Sequence, residues 1–140
     1  MPPRRRSVPA AAVPLVYDTG ALVAADNGER RLWAQFAAAV ADRRPIVVPS
    51  PVLTQAWRGS PSQARLAKLV AGCRVLAPDE QLARRAGVLL GRSNTRDAVD
   101  AIVVATAIEL RVAIVTSGIE DITLLADSAD TDLEIAISHI

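Results

Sequence analysis

The chain is predicted to fold as a three-layer α/β domain with a central parallel sheet of four to five strands, on three observations. Short runs rich in Val, Ile and Leu alternate with longer, helix-periodic segments throughout the chain after Pro14. With 140 residues, 51% of them hydrophobic, the chain is long and apolar enough for one domain with a substantial core. The stretch from Asp97 to Ala107 opens with two carboxylates and continues as an almost unbroken apolar helix pattern, too apolar to lie on a surface. A helix of that kind covers a sheet, and strands spaced by helices pair in parallel through right-handed crossovers.

Residues 1–14 carry Arg4-Arg5-Arg6 and a short apolar run broken by Pro9 and Pro14, and are expected to form a disordered basic tail ahead of a domain over 15–140. The apolar run is too short for a signal peptide, and no other segment reaches membrane-spanning length without a charge, so no membrane association is expected. Leu15-Val16-Tyr17 predicts the first strand, which runs into Asp18 and a helix that Gly28 breaks. Arg30 to Arg44 predicts a second helix with Leu32, Phe36 and Val40 on one face and Pro45 as its stop. Ile46-Val47-Val48 predicts the second strand, followed by a helix over Val52 to Arg58 with Ser50 as cap and Pro51 at its first position.

Ser60-Pro61 starts a further helix, apolar at Leu66, Leu69 and Val70 and ended by Gly72. Cys73 to Leu76 predicts the third strand, Asp79 caps a helix from Glu80 to Leu90, and Gly91 to Thr95 is expected to be a loop. After the Asp97 helix come a fourth strand at Val112 to Val115, a polar turn at Thr116-Ser117-Gly118, a short helix at Ile119 to Asp127 and a fifth strand at Leu133 to Ile137.

Charge is segregated along the chain. Residues 1–96 hold fifteen basic and six acidic side chains and residues 97–140 one and nine, although the net charge is only +1. A split of this kind argues for partners of both signs. Aromatic residues make up 3% of the chain, little material for base stacking. Cys73 is the sole cysteine, which excludes an internal disulfide and suits a reducing cytoplasm.

Three polar positions converge where strands end or helices begin: Asp18 after the first strand, Asp97 with Asp100 at a helix start, and Thr116-Ser117 after the fourth strand. The carboxyl ends of strands are where open parallel sheets place their sites. Any one of these acids also suits a helix cap or the positive end of a helix dipole. Together they form a set of hard oxygen donors without paired His or Cys, which points to Mg²⁺ or Mn²⁺ rather than zinc. The one histidine, His139, lies next to the C-terminus and is expected to be away from this site. A phosphoacceptor receiver domain would need adjacent acids after the first strand and a Lys after the last. A nucleotide-binding domain would need a Gly-rich phosphate loop, and the chain has neither feature.

Four stretches carry a likeness to a known family: Tyr17-Asp18-Thr19-Gly20-Ala21-Leu22, Val48-Pro49-Ser50-Pro51-Val52-Leu53, Asp97-Ala98-Val99-Asp100-Ala101 with Ala105-Thr106-Ala107, and Val115-Thr116-Ser117. In their order and spacing the chain resembles the PIN-domain nucleases and, among them, the VapC-type ribonuclease toxins of bacterial toxin-antitoxin pairs. The resemblance implies a PIN-like fold and Mg²⁺- or Mn²⁺-dependent hydrolysis of an RNA phosphodiester, with Asp18, Asp97 and Asp100 as catalytic and metal-binding acids. Thr19, Gln55, Arg58, Arg96, Thr116, Ser117 and Asp121 would surround them, Arg58 and Arg96 as phosphate clamps or as ordinary surface arginines. Of the family's four acidic positions, the second is usually a Glu where this chain has Gln55, and the fourth an Asp where it has Gly118. An amide oxygen does not neutralise an ion and glycine offers no side-chain oxygen; Glu120 or Asp121 either compensates by reaching back into the crevice or is simply a helix N-terminal acid favoured by the dipole.

The resemblance also implies a homodimer inhibited by a small antitoxin, for which the helices between Val52 and Val70 would offer a groove and the acids a partner for an Arg. The alternative is a degenerate PIN domain that serves as an RNA-binding or antitoxin-binding module. Gln55 and Gly118 favour that alternative, and the presence of Asp18, Asp97 and Asp100 opposes it.

Overall fold

A computed structural model describes residues 13–131 and 135–140; the N-terminal basic segment, through residue 12, and residues 132–134 lie outside the described residues. Five short strands form one fully parallel sheet in the order β3-β2-β1-β4-β5: β1 (Leu15–Tyr17), β2 (Ile46–Pro49), β3 (Arg74–Leu76), β4 (Ala113–Thr116) and β5 (Ile137–His139). Seven helices connect them among the described residues: α1 (Thr19–Asp26), α2 (Arg30–Ala41), α3 (Ser50–Ala56), α4 (Ala64–Ala71), α5 (Glu80–Ser93), α6 (Ala98–Leu110) and α7 (Ile119–Asp127). The first two crossovers step outward from β1 to β2 and β3, and the later ones reach β4 and β5 on the other side of β1. Right-handed crossovers therefore put α1–α4 on one face of the sheet and α5–α7 on the other. The helix contacts agree: α1 packs on α2, α3 and α4, and α6 packs on α5 and α7. The three-layer α/β architecture expected from the alternation is the one observed.

The inner strands are apolar on both faces because both faces are covered. Val16, Tyr17, Ile46, Val48 and Ile114 are fully buried, and Leu22, Leu32, Leu66, Leu69, Ile122 and Leu125 pack down on them from the helices. α6 buries Ala101 and the whole run from Val103 to Ala107, as its all-round apolar sequence requires. No helix among the described residues is long and apolar enough to cross a membrane.

Several boundaries differ from expectation for identifiable reasons. α2 ends at Ala41, not Arg44, because Arg43 turns left-handed at φ 56. On its apolar face Leu32 is buried and Phe36 partly so, but Val40 is 56% exposed and Ala39 is buried instead. Ser50 is the first residue of α3 and not its cap, which places Pro51 second, still within the first turn where its missing N–H costs nothing. Ser60 caps a short 3₁₀ turn at Pro61–Gln63 that precedes α4. α5 runs through Gly91 to Ser93 because Asn94 supplies the left-handed stop, φ 55. The last strand lies later than expected, at Ile137–His139, paired with Ile114 to Thr116; of the predicted span, Leu133 lies outside the described residues and Ile135 and Ala136 are not strand.

Candidate active site

β1 and β4 are neighbours in the sheet, yet the chain leaves them in opposite directions, toward β2 and toward β5. Such a switch point opens a crevice at the carboxyl ends of the two strands, the place where parallel sheets bind ligands. Asp18 directly follows β1 and Thr116 ends β4, so the topology alone brings these two residues to the crevice.

Asp18 is 4% exposed and held from two sides. Its Oδ1 accepts from the Ala21 amide at 2.9 Å, capping α1, and its Oδ2 accepts from the Thr116 hydroxyl. Thr116 Oγ1 in turn accepts from the Gly118 amide at 2.8 Å, which fixes its hydroxyl proton toward Asp18. Burial raises the Asp18 pKa above the usual carboxylate value, and these hydrogen bonds work in the opposite direction.

α6 begins on the other side of the same crevice. Asp97 is its cap, accepting from the Asp100 amide at 3.0 Å, so the two acids belong to one cap-and-first-turn unit. Asp100 is half-buried and its pKa is pushed up to about 7, first by burial, then by the negative charges of Asp97, Asp18 and Asp121. Asp100 thus lies within the electrostatic reach of three other carboxylates, from the starts of α1, α6 and α7. None of them forms an ion pair among the described residues, whose salt bridges are Arg84 with Glu80 and Arg92 with Asp130. Asp121, in the first turn of α7, is among the acids whose charge acts on Asp100.

The other predicted residues divide. Thr19 donates its hydroxyl to Gln55 Oε1 at 2.6 Å, so Gln55 stands beside the start of α1. Ser117 follows Thr116 and packs against Gly20, where an added Cβ would come within 3.3 Å of the Ser117 Cβ. A side chain at position 20 would therefore force Ser117 to move, which ties Gly20 to the site, a role overlooked because the Asp-Thr-Gly sequence also reads as an ordinary helix start. Arg96 is exposed, one residue before the Asp97 cap. Arg58 departs from expectation: its guanidinium donates to the Thr54 and Trp57 carbonyls at 3.2 and 2.8 Å, closing the end of α3, and is not aimed at the acids.

His139 is a second correction. Its pairing with Thr116 across β4 and β5 brings its Nε2 to 3.3 Å from the Ser117 carbonyl oxygen, at the margin of the crevice. Only the sheet order, not its nearness to the C-terminus, could have revealed this. Of the apolar side chains between Val52 and Val70, where a groove was expected, Val52, Leu66 and Leu69 are fully buried, Leu53 and Val70 are partly buried and Trp57 is 41% exposed.

Among the described residues no three acidic, histidine or cysteine side chains close into a ready-made metal cage. The donor set still fits Mg²⁺ or Mn²⁺. Mg²⁺ keeps most of its waters and is bound through one or two carboxylates together with substrate phosphates. Asp18 and Asp100 are two carboxylates kept without a counter-charge in partly desolvated surroundings, which a cation would relieve.

A parallel sheet covered on both faces, with acidic side chains gathered at its switch point, defines the class of α/β fold to which the chain belongs. Within that class, residues 15–122 match the PIN domain, and the chain belongs to the PIN-domain family. No curated protein matches the chain. Its fold is similar to a chain in the crystal structure of VapBC2 from Rickettsia felis bound to a DNA fragment from their promoter, with TM-score 0.68, 14% identity, and 91% of this chain and 99% of that one covered. It is also similar to a chain in the structure of DNA-bound VapBC from Salmonella typhimurium, with TM-score 0.61, 19% identity, and coverage of 91% and 98%.

Proposed function

We propose that this chain is a divalent-metal-dependent endoribonuclease toxin of the VapC type, neutralised by a small antitoxin and acting as a homodimer. The observation that carries the proposal is the crowding of Asp18, Asp97 and Asp121 around Asp100 at the switch point, with no ion pair to balance them among the described residues. Membership of the PIN-domain family and the fold shared with chains of VapBC complexes support it.

A bound Mg²⁺ or Mn²⁺ supplies charge neutralisation and activation of water for attack on a phosphodiester. Asp18, fixed by the Ala21 amide and the Thr116 hydroxyl, and Asp100, fixed on the first turn of α6, would hold the ion. Asp97 and Asp121 would add negative charge around it. Thr19 and Gln55 would orient the strand at the opening of α1, with Ser117 lining the crevice floor and exposed Arg96 as a phosphate contact. An antitoxin would inhibit by laying a basic side chain among the same acids.

Incubation of the purified chain, free of any partner, with transfer and ribosomal RNA in Mn²⁺ tests the proposal: cleavage by the native chain and none by Asp18→Asn is expected. A second reading has one specific observation in its favour. The Gln55 amide oxygen is already engaged by Thr19, and Gly118 provides no side-chain oxygen, so a non-catalytic RNA- or antitoxin-binding module fits those two corners. Absence of cleavage with either ion, with RNA or antitoxin still bound, would favour that reading. Co-expression with the neighbouring upstream reading frame tests the partner: co-purification and a dimeric mass by light scattering are expected.

A further inference from the structure

We propose that the cleft between the end of α1, the start of α2 and α4 is a distal docking site for the RNA strand, in which Trp33 stacks on a base and Arg30, Arg65 and Lys68 hold phosphates. This rests on the ribonuclease reading above and adds a substrate-holding surface away from the acids.

The cleft has a volume of about 360 Å³ and is lined by Gly28, Arg30, Trp33, Arg65 and Lys68. The charged side chains that line it are all cations, three of them, against the two acids Asp26 and Glu29 that flank Gly28. Arg30, Arg65 and Lys68 are all exposed, and among the described residues none of them is in an ion pair. Arg65 and Lys68 stand three apart on α4, so both rise from one face. The nearby acid Asp26 is turned to the Gln63 amide, which donates to its Oδ2 at 3.2 Å, and Glu29 precedes α2 without making a side-chain cap.

Two features indicate that the surface is preformed. Gly28 adopts φ +69, a left-handed turn that favours glycine, and a Cβ there would meet the Arg65 guanidinium at 2.9 Å, so the bare turn leaves room for this group. Trp33 donates its indole N–H to the Ala25 carbonyl at 3.1 Å and packs edge-on against Phe36, with ring centroids 5.6 Å apart and an interplanar angle of 80°. An indole held in this way loses little freedom when a base stacks on it.

An acidic peptide would satisfy the three cations but has no use for a fixed aromatic face, whereas a nucleic acid strand uses both. The location suits a strand that continues to the acids. α1 starts at Asp18 and ends at the cleft, and its eight residues span ~12 Å.

The test measures binding of labelled single-stranded oligouridine to the full chain in EDTA, so that cleavage is not required. In a Trp57→Phe background Trp33 is the only tryptophan, and its fluorescence should be quenched by the RNA. Arg65→Gln with Lys68→Gln, both at exposed positions, should weaken binding roughly tenfold and lower the slope of log K against log salt by about 1.4. Unquenched Trp33, or unchanged affinity and slope in the double variant, overturns the proposal. Charge-dependent binding of polyglutamate at the cleft without RNA binding also overturns it, in favour of an acidic protein partner. The two readings fail separately: RNA held at the cleft by a chain that cleaves nothing in Mn²⁺ sinks the ribonuclease reading alone, and cleavage that ignores the double variant sinks the docking site alone.

Discussion

The Thr116 hydroxyl at the end of β4 donates to the buried Asp18 carboxylate at the end of β1, joining the two strands between which the chain changes direction. Because the Gly118 amide donates to the same oxygen of Thr116, the hydroxyl can present its proton only to Asp18. Thr116→Val keeps the shape of the side chain and removes the donor, leaving a nearly inaccessible carboxylate oxygen unsatisfied. A loss of ~1–3 kcal/mol in urea unfolding is expected, together with reduced cleavage. Thr116→Ser should restore both, and an unaltered unfolding midpoint in the valine variant would show that the bond carries no weight.

Asp100→Asn separates function from stability. At pH 8 the native Asp100 is charged and faces Asp97, Asp18 and Asp121. The amide removes that repulsion while keeping the shape, so in EDTA the variant should be more stable by ~0.5–1 kcal/mol after allowance for solvent screening, a rise in Tm of a few degrees. Cleavage should fall at least a hundredfold. Mg²⁺ should raise the Tm of the native chain and leave that of the variant nearly unchanged. A variant less stable than the native chain in EDTA would mean that the acids are not crowded in solution.

Most of the frame was legible because the signals were local and repeated. Val-rich strands such as Ile46-Val47-Val48 and the apolar α6 leave no other arrangement than a covered parallel sheet, and Asp18 at a strand end was readable from four residues. What could not be read depended on partners distant in sequence. His139 reaches the crevice only through the β4–β5 pairing, and the aim of Arg58 is decided by free carbonyls at the end of α3. Asp97 and Asp100 look equivalent as a pair three apart, yet one is the exposed cap and the other is half-buried, a difference set by what packs on the first turn of α6.

Alkaline pH should unfold the chain through Tyr17 and Cys73. Tyr17 is fully buried and donates its hydroxyl to Gln35, and burial raises its pKa, with Cys73 contributing; burial likewise pushes the Cys73 thiol up to about 12. Both groups stay neutral in the folded chain while the unfolded chain ionises above ~8.5 for Cys and ~10 for Tyr. The folded state therefore holds more protons. Stability is fully present below about pH 8.5 and falls as pH rises toward 12. Cys73→Ala should remove up to ~1.4 kcal/mol per pH unit from that slope. Urea midpoints between pH 8 and 11 with the same slope in both proteins would place the thiol in water.

Gly118→Asp should strengthen metal binding. Gly118 sits at φ −110, ordinary for any residue, and an added Cβ would meet only Thr116 Oγ1 at 3.9 Å, so a side chain fits without strain. The position lies two residues past the end of β4, and its amide donates to the Thr116 hydroxyl oxygen that in turn donates to Asp18, so a carboxylate there would place a further charged oxygen beside the crevice. Affinity for hard cations rises with the number of charged oxygen ligands, so Mn²⁺ should bind of the order of tenfold more tightly by calorimetry, ~1.4 kcal/mol. In EDTA the same variant should be less stable than the native chain, because a further negative charge joins Asp18, Asp100 and Asp121 with no cation present. Unchanged Mn²⁺ affinity with that loss of stability would mean that Asp121 already occupies this corner of the site. Unchanged affinity with unchanged stability would mean that the corner faces away from the acids.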